Sequence, residues 1–155
     1  MDLYQILIRD HRLTEQIFSE IERTTATEVR RREQLFDNLR KGLEAHSVVE
    51  ENIFYPEIEK LSPTRELVGD AFEEHAEIDA ILQEIGELPA DKDEWLDRIN
   101  ELKEVVQEHV CEEEDRMFPA ARNLFDEARA EDLGRQIQEM KQQRGPGRPA
   151  RADWQ

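Results

Sequence analysis

The chain has 155 residues and a net charge of −17, the size of one ordinary domain with a core that needs no disulfide. So acidic a surface repels nucleic acid and anionic membranes, and neither is an expected partner. No apolar run approaches the roughly 20 residues of a membrane helix. Met1-Asp2-Leu3-Tyr4-Gln5 lacks the basic-then-apolar pattern of a signal peptide. The single cysteine, Cys111, forbids an internal disulfide, so a cytoplasmic setting is expected.

Charged residues make up 38% and hydrophobic ones 37%, the balance of amphipathic helices with solvated outer faces. A first helix is predicted from about Leu3 to Arg23, stopping in Thr24-Thr25-Ala26-Thr27. Thr27 is the expected cap of a second, which reaches about Lys60. Ser62-Pro63 reads as cap and first residue of a third, ending near Ile85 before Gly86 and Pro89. A fourth spans about Asp93 to Phe125, and a short fifth about Ala130 to Gln142. Gly145-Pro146-Gly147-Arg148-Pro149 ends helical structure. Short connections make neighbouring helices antiparallel. The predicted fold is therefore all-α: an up-down-up-down four-helix bundle over residues 1–128, a short accessory C-terminal helix over 129–143, and a disordered basic tail over 144–155.

Each long helix carries one inward stripe with three-four spacing. The stripes are Leu7, His11, Thr14, Phe18, Ile21; Phe36, Leu39, Leu43, His46, Glu50, Ile53; Val68, Phe72, His75, Asp79, Leu82; and Ile99, Leu102, Val106, His109, Glu113, Met117. A histidine replaces an apolar residue near the middle of each. The halves also repeat. A shift of 64 carries His11 onto His75 and Ile21 onto Ile85; a shift of 63 carries His46 onto His109, Glu50 onto Glu113 and Pro56 onto Pro119. Two helix pairs related by a pseudo-twofold would set two similar half-sites face to face.

Residues four apart on a helix share a face, so His46 with Glu50, and His109 with Glu113, offer an imidazole and a carboxylate to one spot. A carboxylate has two oxygens and can bridge two metals. Glu15 and Asp79, four residues after His11 and His75, point the same way. Such a set suits iron, manganese or zinc better than calcium or magnesium. A single histidine on an apolar stripe is ordinarily a satisfied core residue. Four of them, two paired with glutamate, would leave several buried polar groups uncompensated without a metal. A metal-free bundle with internal His–Glu pairs and a structural zinc site are the competing readings; the lack of thiolate ligands counts against zinc.

His11, His46-x3-Glu50, His75 and His109-x3-Glu113, with the Glu-Glu-x-x-Phe-x-Pro pattern of 50–56 and its counterpart at 113–119, resemble the hemerythrin-like, or HHE cation-binding, domains. The resemblance covers about residues 2 to 125, and single-domain bacterial members look most similar. It implies a non-haem centre of two iron ions held by His11, His46, Glu50, His75, His109 and Glu113, with both glutamates bridging; manganese or zinc rank behind iron. One position departs. Oxygen-carrying hemerythrins have a histidine four residues after the one on the third helix, where this chain has Asp79. As a ligand, Asp79 would favour ferric iron; unbound, it would leave a coordination position open. Either outcome counts against simple reversible oxygen carriage and favours redox turnover.

The expected function is binding of oxygen or a related small ligand, nitric oxide or peroxide, in sensing, storage or oxidative and nitrosative stress protection. A catalase- or peroxidase-type enzyme and an iron-sensing or iron-buffering module are the alternatives. The expected assembly is a monomer or weak homodimer. Glu51 and Glu114 are read as extra ligands or outer partners, and Tyr4 as a candidate donor behind the ligands. Phe54 and Met117 are read as apolar walls, and Cys111 as a packing residue pointing away. Tyr55 falls about 180° from His46 around a regular helix, so no redox role is expected for it. Pro56 and Pro119 should kink or end their helices. The tail, Arg144 to Arg151, faintly resembles a minor-groove Gly-Arg-Pro arm, but a solubilising tail is the preferred reading.

Overall fold

The structure, a computed structural model, describes residues 1–144; the predicted disordered tail lies outside the described residues. Helix α1 (Leu3–Glu22) starts behind a reciprocal cap in which Asp2 accepts from the Gln5 N–H at 2.9 Å and Gln5 accepts from the Asp2 N–H at 2.9 Å. Helix α2 (Val29–Val49) starts two residues later than expected and does not use Thr27 as its cap. Instead the Glu28 carboxylate turns back to the Thr25 N–H, 2.9 Å away. A wide turn over Glu50–Phe54 leads into α3 (Tyr55–Glu59). A 3₁₀ turn at Ser62–Thr64 precedes α4 (Arg65–Gly86). Then come α5 (Asp93–Glu112), a second wide turn over Glu113–Met117, α6 (Phe118–Arg122) and α7 (Glu127–Arg144). The fold is the expected helical bundle: α1 packs on α2, and α4 on α5. No described helix is long and apolar enough to cross a membrane.

The two wide turns originate in the prolines. Pro56 and Pro119 have no N–H to give, and their rings crowd the carbonyls four residues back. Helical structure continues through each proline. It takes in one extra residue, so that the Tyr55 N–H donates to the Glu50 carbonyl and the Phe118 N–H to the Glu113 carbonyl. Everything beyond each turn is rotated by about 100° from its α-helical position.

Two apolar cores result, one at each end of the bundle. One gathers Phe18, Leu39, Leu82, Trp95 and Leu102. The other gathers Leu3, Ile6, Phe54, Phe118, Leu133 and Ile137. The last two belong to α7, which is longer than the short accessory helix expected and completes that core. Its apolar residues are sparse among charges, so its stripe is weak in sequence. Yet burying Leu133 and Ile137 contributes about 1.5–3 kcal/mol each.

Gly134 is where α7 meets the start of α1. A Cβ there would come 2.5 Å from the Met1 carbonyl oxygen and 2.9 Å from the Asp2 carbonyl carbon. Gly134→Ala should therefore destabilise the fold by about 1–3 kcal/mol, because overpacking against backbone outweighs the roughly 1 kcal/mol gained in helix propensity. Gly42→Ala and Gly69→Ala, where nothing lies within 4 Å, should stabilise by up to about 1 kcal/mol. Urea unfolding of the three variants checks both signs.

Candidate metal centre

Between the two cores lies a polar layer. The four histidines turn Nε2 inward from α1, α2, α4 and α5. His11 and His46 bring their Nε2 atoms to 3.2 Å, and His75 and His109 to 3.1 Å. Two imidazole nitrogens that close can share only one proton. Two ligands bound about 2.1 Å from one ion, at right angles, would stand about 3 Å apart. The glutamates join the halves. Glu113 places Oε1 3.0 Å from His11 Nε2 and Oε2 3.3 Å from His109 Nε2. Glu50 places Oε2 3.3 Å from His46 Nε2 and Oε1 3.2 Å from His75 Nε2. Each half thus holds two nitrogens and one oxygen from each glutamate.

Donor atoms of His11, His46, Glu50 and Glu113 lie within 4.8 Å of one another, as do those of Glu50, His75 and His109. Glu50 and Glu113 are 0% exposed, and Glu50 Oε2 makes no hydrogen bond in its buried place. A lone pair with no proton to receive, inside a nitrogen–oxygen donor set, fits a transition-metal cation.

An outer ring of carboxylates holds the imidazoles. His46 Nδ1 donates to Asp10 at 2.9 Å, His109 Nδ1 to Glu74 at 2.7 Å and His11 Nδ1 to Glu114 at 2.6 Å. His75 Nδ1 lies 3.6 Å from Glu51. A proton kept on Nδ1 leaves the Nε2 lone pair free for a metal. The ring obeys the repeat: Asp10 and Glu74 directly precede His11 and His75, while Glu51 and Glu114 directly follow Glu50 and Glu113. Two members are held by cations, Asp10 by Lys141 of α7 at 2.5 Å and Glu114 by Arg12 at 2.5 Å.

Tyr55 sits inside the centre, contrary to its expected place on the far side of the helix. The extra residue at Glu50–Phe54 turns it inward. Its hydroxyl donates to Glu113 Oε2 at 2.5 Å and lies 3.1 Å from Glu50 Oε1. It is also 3.3 Å from His75 Nε2 and 3.5 Å from His109 Nε2. The counterpart of Tyr55 in the repeat is Phe118, which stacks on His11 with ring centroids 6.2 Å apart. The His75/His109 half therefore has one more oxygen than the His11/His46 half.

On the side of the Trp95 core, a cavity of about 20 Å³ is lined by the four histidines and by Thr14, Leu43, Ser47, Ile78, Val106 and Val110. A surface groove of about 560 Å³ between α1 and α5 shares His11, Thr14, Val106 and Val110 with it. These four residues form a wall common to both.

Charge in the layer is strongly coupled. Burial alone would keep His46 and His109 neutral. The charges of Glu50 and Glu113, with the outer carboxylates, outweigh it and hold both pKa values well above 6.5. The same contest raises His75, through Glu50 and Glu51. Burial and the Glu113 charge would raise Glu50, but His46 and His109 bring it to about 2. Glu113 lies well below its usual range, burial being outweighed by His109 and by hydrogen bonds that include His11. Burial would raise Asp10, yet His46 and Lys141 hold it at about 2. Burial and the two glutamates push the Tyr55 hydroxyl well above 10, so it keeps its proton at neutral pH.

Of the predicted ligands, the structure brings together His11, His46, Glu50, His75, His109 and Glu113. Asp79 is half-buried and belongs to neither donor group. Ile78 holds the inward position one residue earlier. Glu15 pairs with Arg12 on the surface at 2.5 Å. Glu51 and Glu114 are outer partners. Tyr4 packs against Phe54, Phe118 and Phe125 rather than behind a ligand, and its hydroxyl makes no hydrogen bond. Cys111 is exposed, not packed. Asp10, Glu74 and Tyr55 are members of the centre that the sequence pattern does not reveal.

The coupling makes both stability and metal binding depend on pH. Without metal, the surrounding carboxylates favour the protonated form of His46 and His109. Their pairing with carboxylates stabilises the fold fully below the ordinary histidine value of 6.5 and is lost as pH rises through the raised values. Metal uptake at neutral pH should thus release protons, seen as a buffer-dependent heat in titration calorimetry, and affinity should weaken as pH falls. Asp10→Ala and Glu74→Ala should each lower metal affinity about 10–100-fold with the bundle still folded, measured by competition with a chelator.

Comparison with known proteins agrees with this geometry. A hemerythrin HHE cation-binding domain matches residues 2–121. A crystal structure of a hemerythrin HHE cation binding domain-containing protein from Mycobacterium kansasii superposes with a TM-score of 0.82 at 26% identity, covering 94% of this chain and 88% of that one. A DNA nickase from Nostoc sp. is 27% identical over 126 residues, 79% of this chain but 34% of the nickase. The chain thus spans about a third of that curated relative. The chain belongs to the hemerythrin HHE cation-binding domain family.

Proposed function

We propose that this is a non-haem, carboxylate-bridged di-iron protein that takes a ligand of two or three atoms, oxygen, nitric oxide or peroxide, for protection against oxidative or nitrosative stress. The 20 Å³ cavity against all four histidines carries the reading. Its small volume suits a ligand of few atoms rather than an organic substrate. Bound iron would supply two electrons and a coordination position.

One observation favours peroxide turnover over reversible oxygen carriage. The Tyr55 hydroxyl lies within hydrogen-bond distance of both glutamates and keeps its proton. It places a proton, and an oxidisable phenol, at the edge of the donor set. Peroxide disproportionation needs protons moved between two peroxide molecules as one is reduced to water and the other oxidised to oxygen, with no outside reductant. The surrounding apolar cores keep bulk water away from this exchange. DNA cleavage is not proposed, since a net charge of −17 opposes a polyanion. The reading suits a reducing cytoplasm, where Cys111 stays a thiol.

Loaded anaerobically with ferrous iron, the protein should bind two irons per chain. His46→Ala and Glu113→Ala should each hold one or none; two irons in both variants would sink the ligand assignment. Reduced protein given peroxide should release oxygen over many turnovers. Tyr55→Phe should keep both irons but slow that release by about 10²-fold or more. A stable, reversible oxygen spectrum with no peroxide consumption would reverse the preference for turnover.

A further inference from the structure

The two halves of the repeat differ in what stands behind their outer carboxylates. A shift of 64 carries Asp10 onto Glu74. Glu74 holds His109 and lines a surface groove of about 600 Å³ together with Glu104, Glu108 and Glu112. Among the described residues its ion pair is with His109 alone. Asp10 holds His46 and is met from outside by Lys141 of α7. One oxygen serves both contacts: Asp10 Oδ2 lies 2.9 Å from His46 Nδ1 and 2.5 Å from Lys141 Nζ. The Asp10 and Lys141 side chains are 15% and 26% exposed. A pair so shielded is screened less by solvent than one on the open surface.

Helix α7 is unevenly anchored. Gly134 meets the Met1–Leu3 backbone and Lys141 meets Asp10, so α7 runs beside α1 in the same direction. Its first half is held by Ala130, Leu133 and Ile137 in the core. Arg129 adds a two-pronged contact to Glu57, at 2.7 and 2.8 Å. Beyond Ile137, Met140 is only partly buried against that core, and Lys141 ties the last turns to another element. Helix ends fray unless they are tied down. Here the tie is made to the carboxylate that also orients His46.

We infer that Lys141 is a positioning residue that couples α7 to the centre: a cation on His46 steadies the last turns of α7, and docked α7 steadies His46 for the cation. The inference rests on the proposed metal centre and concerns its regulation rather than its ligand. The route is short and contiguous. A cation drawing on Nε2 fixes the ring and makes the Nδ1 proton a stronger donor to Asp10. Asp10, held in one place, then gives Lys141 a fixed partner. Coupling between two equilibria is reciprocal. The factor that metal adds to the protection of α7 is therefore the factor that docked α7 adds to metal affinity.

The test is amide hydrogen exchange of residues 138–144, read by mass spectrometry on the full chain with and without saturating ferrous iron under argon. Iron should raise protection there at least about threefold in the wild type. Lys141→Met keeps the stem and loses the charge, and its gain should be below about 1.5-fold, while α2 amides around His46 still gain protection. Lys141→Arg should restore the response. Lys141→Met should also weaken iron about threefold in competition with a chelator. A merely structural lysine would lower the stability of the metal-free chain and leave the iron-dependent gain in place. A chain that takes up no iron would overturn the metal centre and this inference together. Two irons bound with exchange of 138–144 unchanged, or equal gains in wild type and Lys141→Met, would overturn the coupling alone.

Discussion

Everything in this bundle is arranged around a layer of charge whose inner members, the four histidines with Glu50 and Glu113, are kept from water by apolar cores on both sides. Six carboxylates belong to it: Glu50 and Glu113 at the centre, with Asp10, Glu51, Glu74 and Glu114 behind the histidines. Two cations, Lys141 and Arg12, touch it. The carboxylates outnumber these cations, a surplus of negative charge that bound cations would offset. Without metal, protons on the histidines must offset it, which is why imidazoles so deeply buried have raised pKa values. Burial alone would drive them the other way. Metal and protons are thus alternative ways of keeping one layer neutral, and folding and metal binding share a free energy.

The same constraint fixes the helix geometry. A bridging glutamate must project to the midline from each of two helices, and the helix must then continue to bury Phe54 or Phe118 in the next core. A regular α-helix would carry Tyr55 to the far side. Pro56 and Pro119 make the regular helix unfavourable just where it would do so, and the inserted residue turns the chain back toward the axis. In one half the residue delivered is a tyrosine, which enters the donor set. In the other it is a phenylalanine, which stacks on His11.

The six inner donors, His11, His46, Glu50, His75, His109 and Glu113, are legible in the sequence because they combine two independent signals, the three-four stripe and the repeat. Asp79 shows how the signals should be weighed. The stripe admits it as well as it admits Ile78. The repeat, however, pairs Asp79 with Glu15 and Ile78 with Thr14, and Glu15 is a surface residue. Tyr55 is illegible because its place depends on a change of helical pitch that periodicity assumes away. The prolines mark where the helix is disturbed, but not which way the next side chain turns. Asp10 and Glu74 are hidden by abundance: among so many acidic residues, two that precede a histidine look like solvated surface. Only the pairing of helices across the bundle gives them a histidine to hold.

Helix α7 breaks the twofold most deeply, since it has no counterpart in the repeat. Near its middle, Gly134 closely approaches the Met1–Leu3 backbone. Near its end Lys141 reaches Asp10, and Asp10 holds His46. A carboxylate shared with an ammonium draws less on the imidazole proton than a free one. His109 is held instead by Glu74, 2.7 Å away. The half-site holding Tyr55 keeps the more anionic set. An approximate duplication supplies two similar groups of donors, and the residues that depart from it, Tyr55 above all, make them unequal.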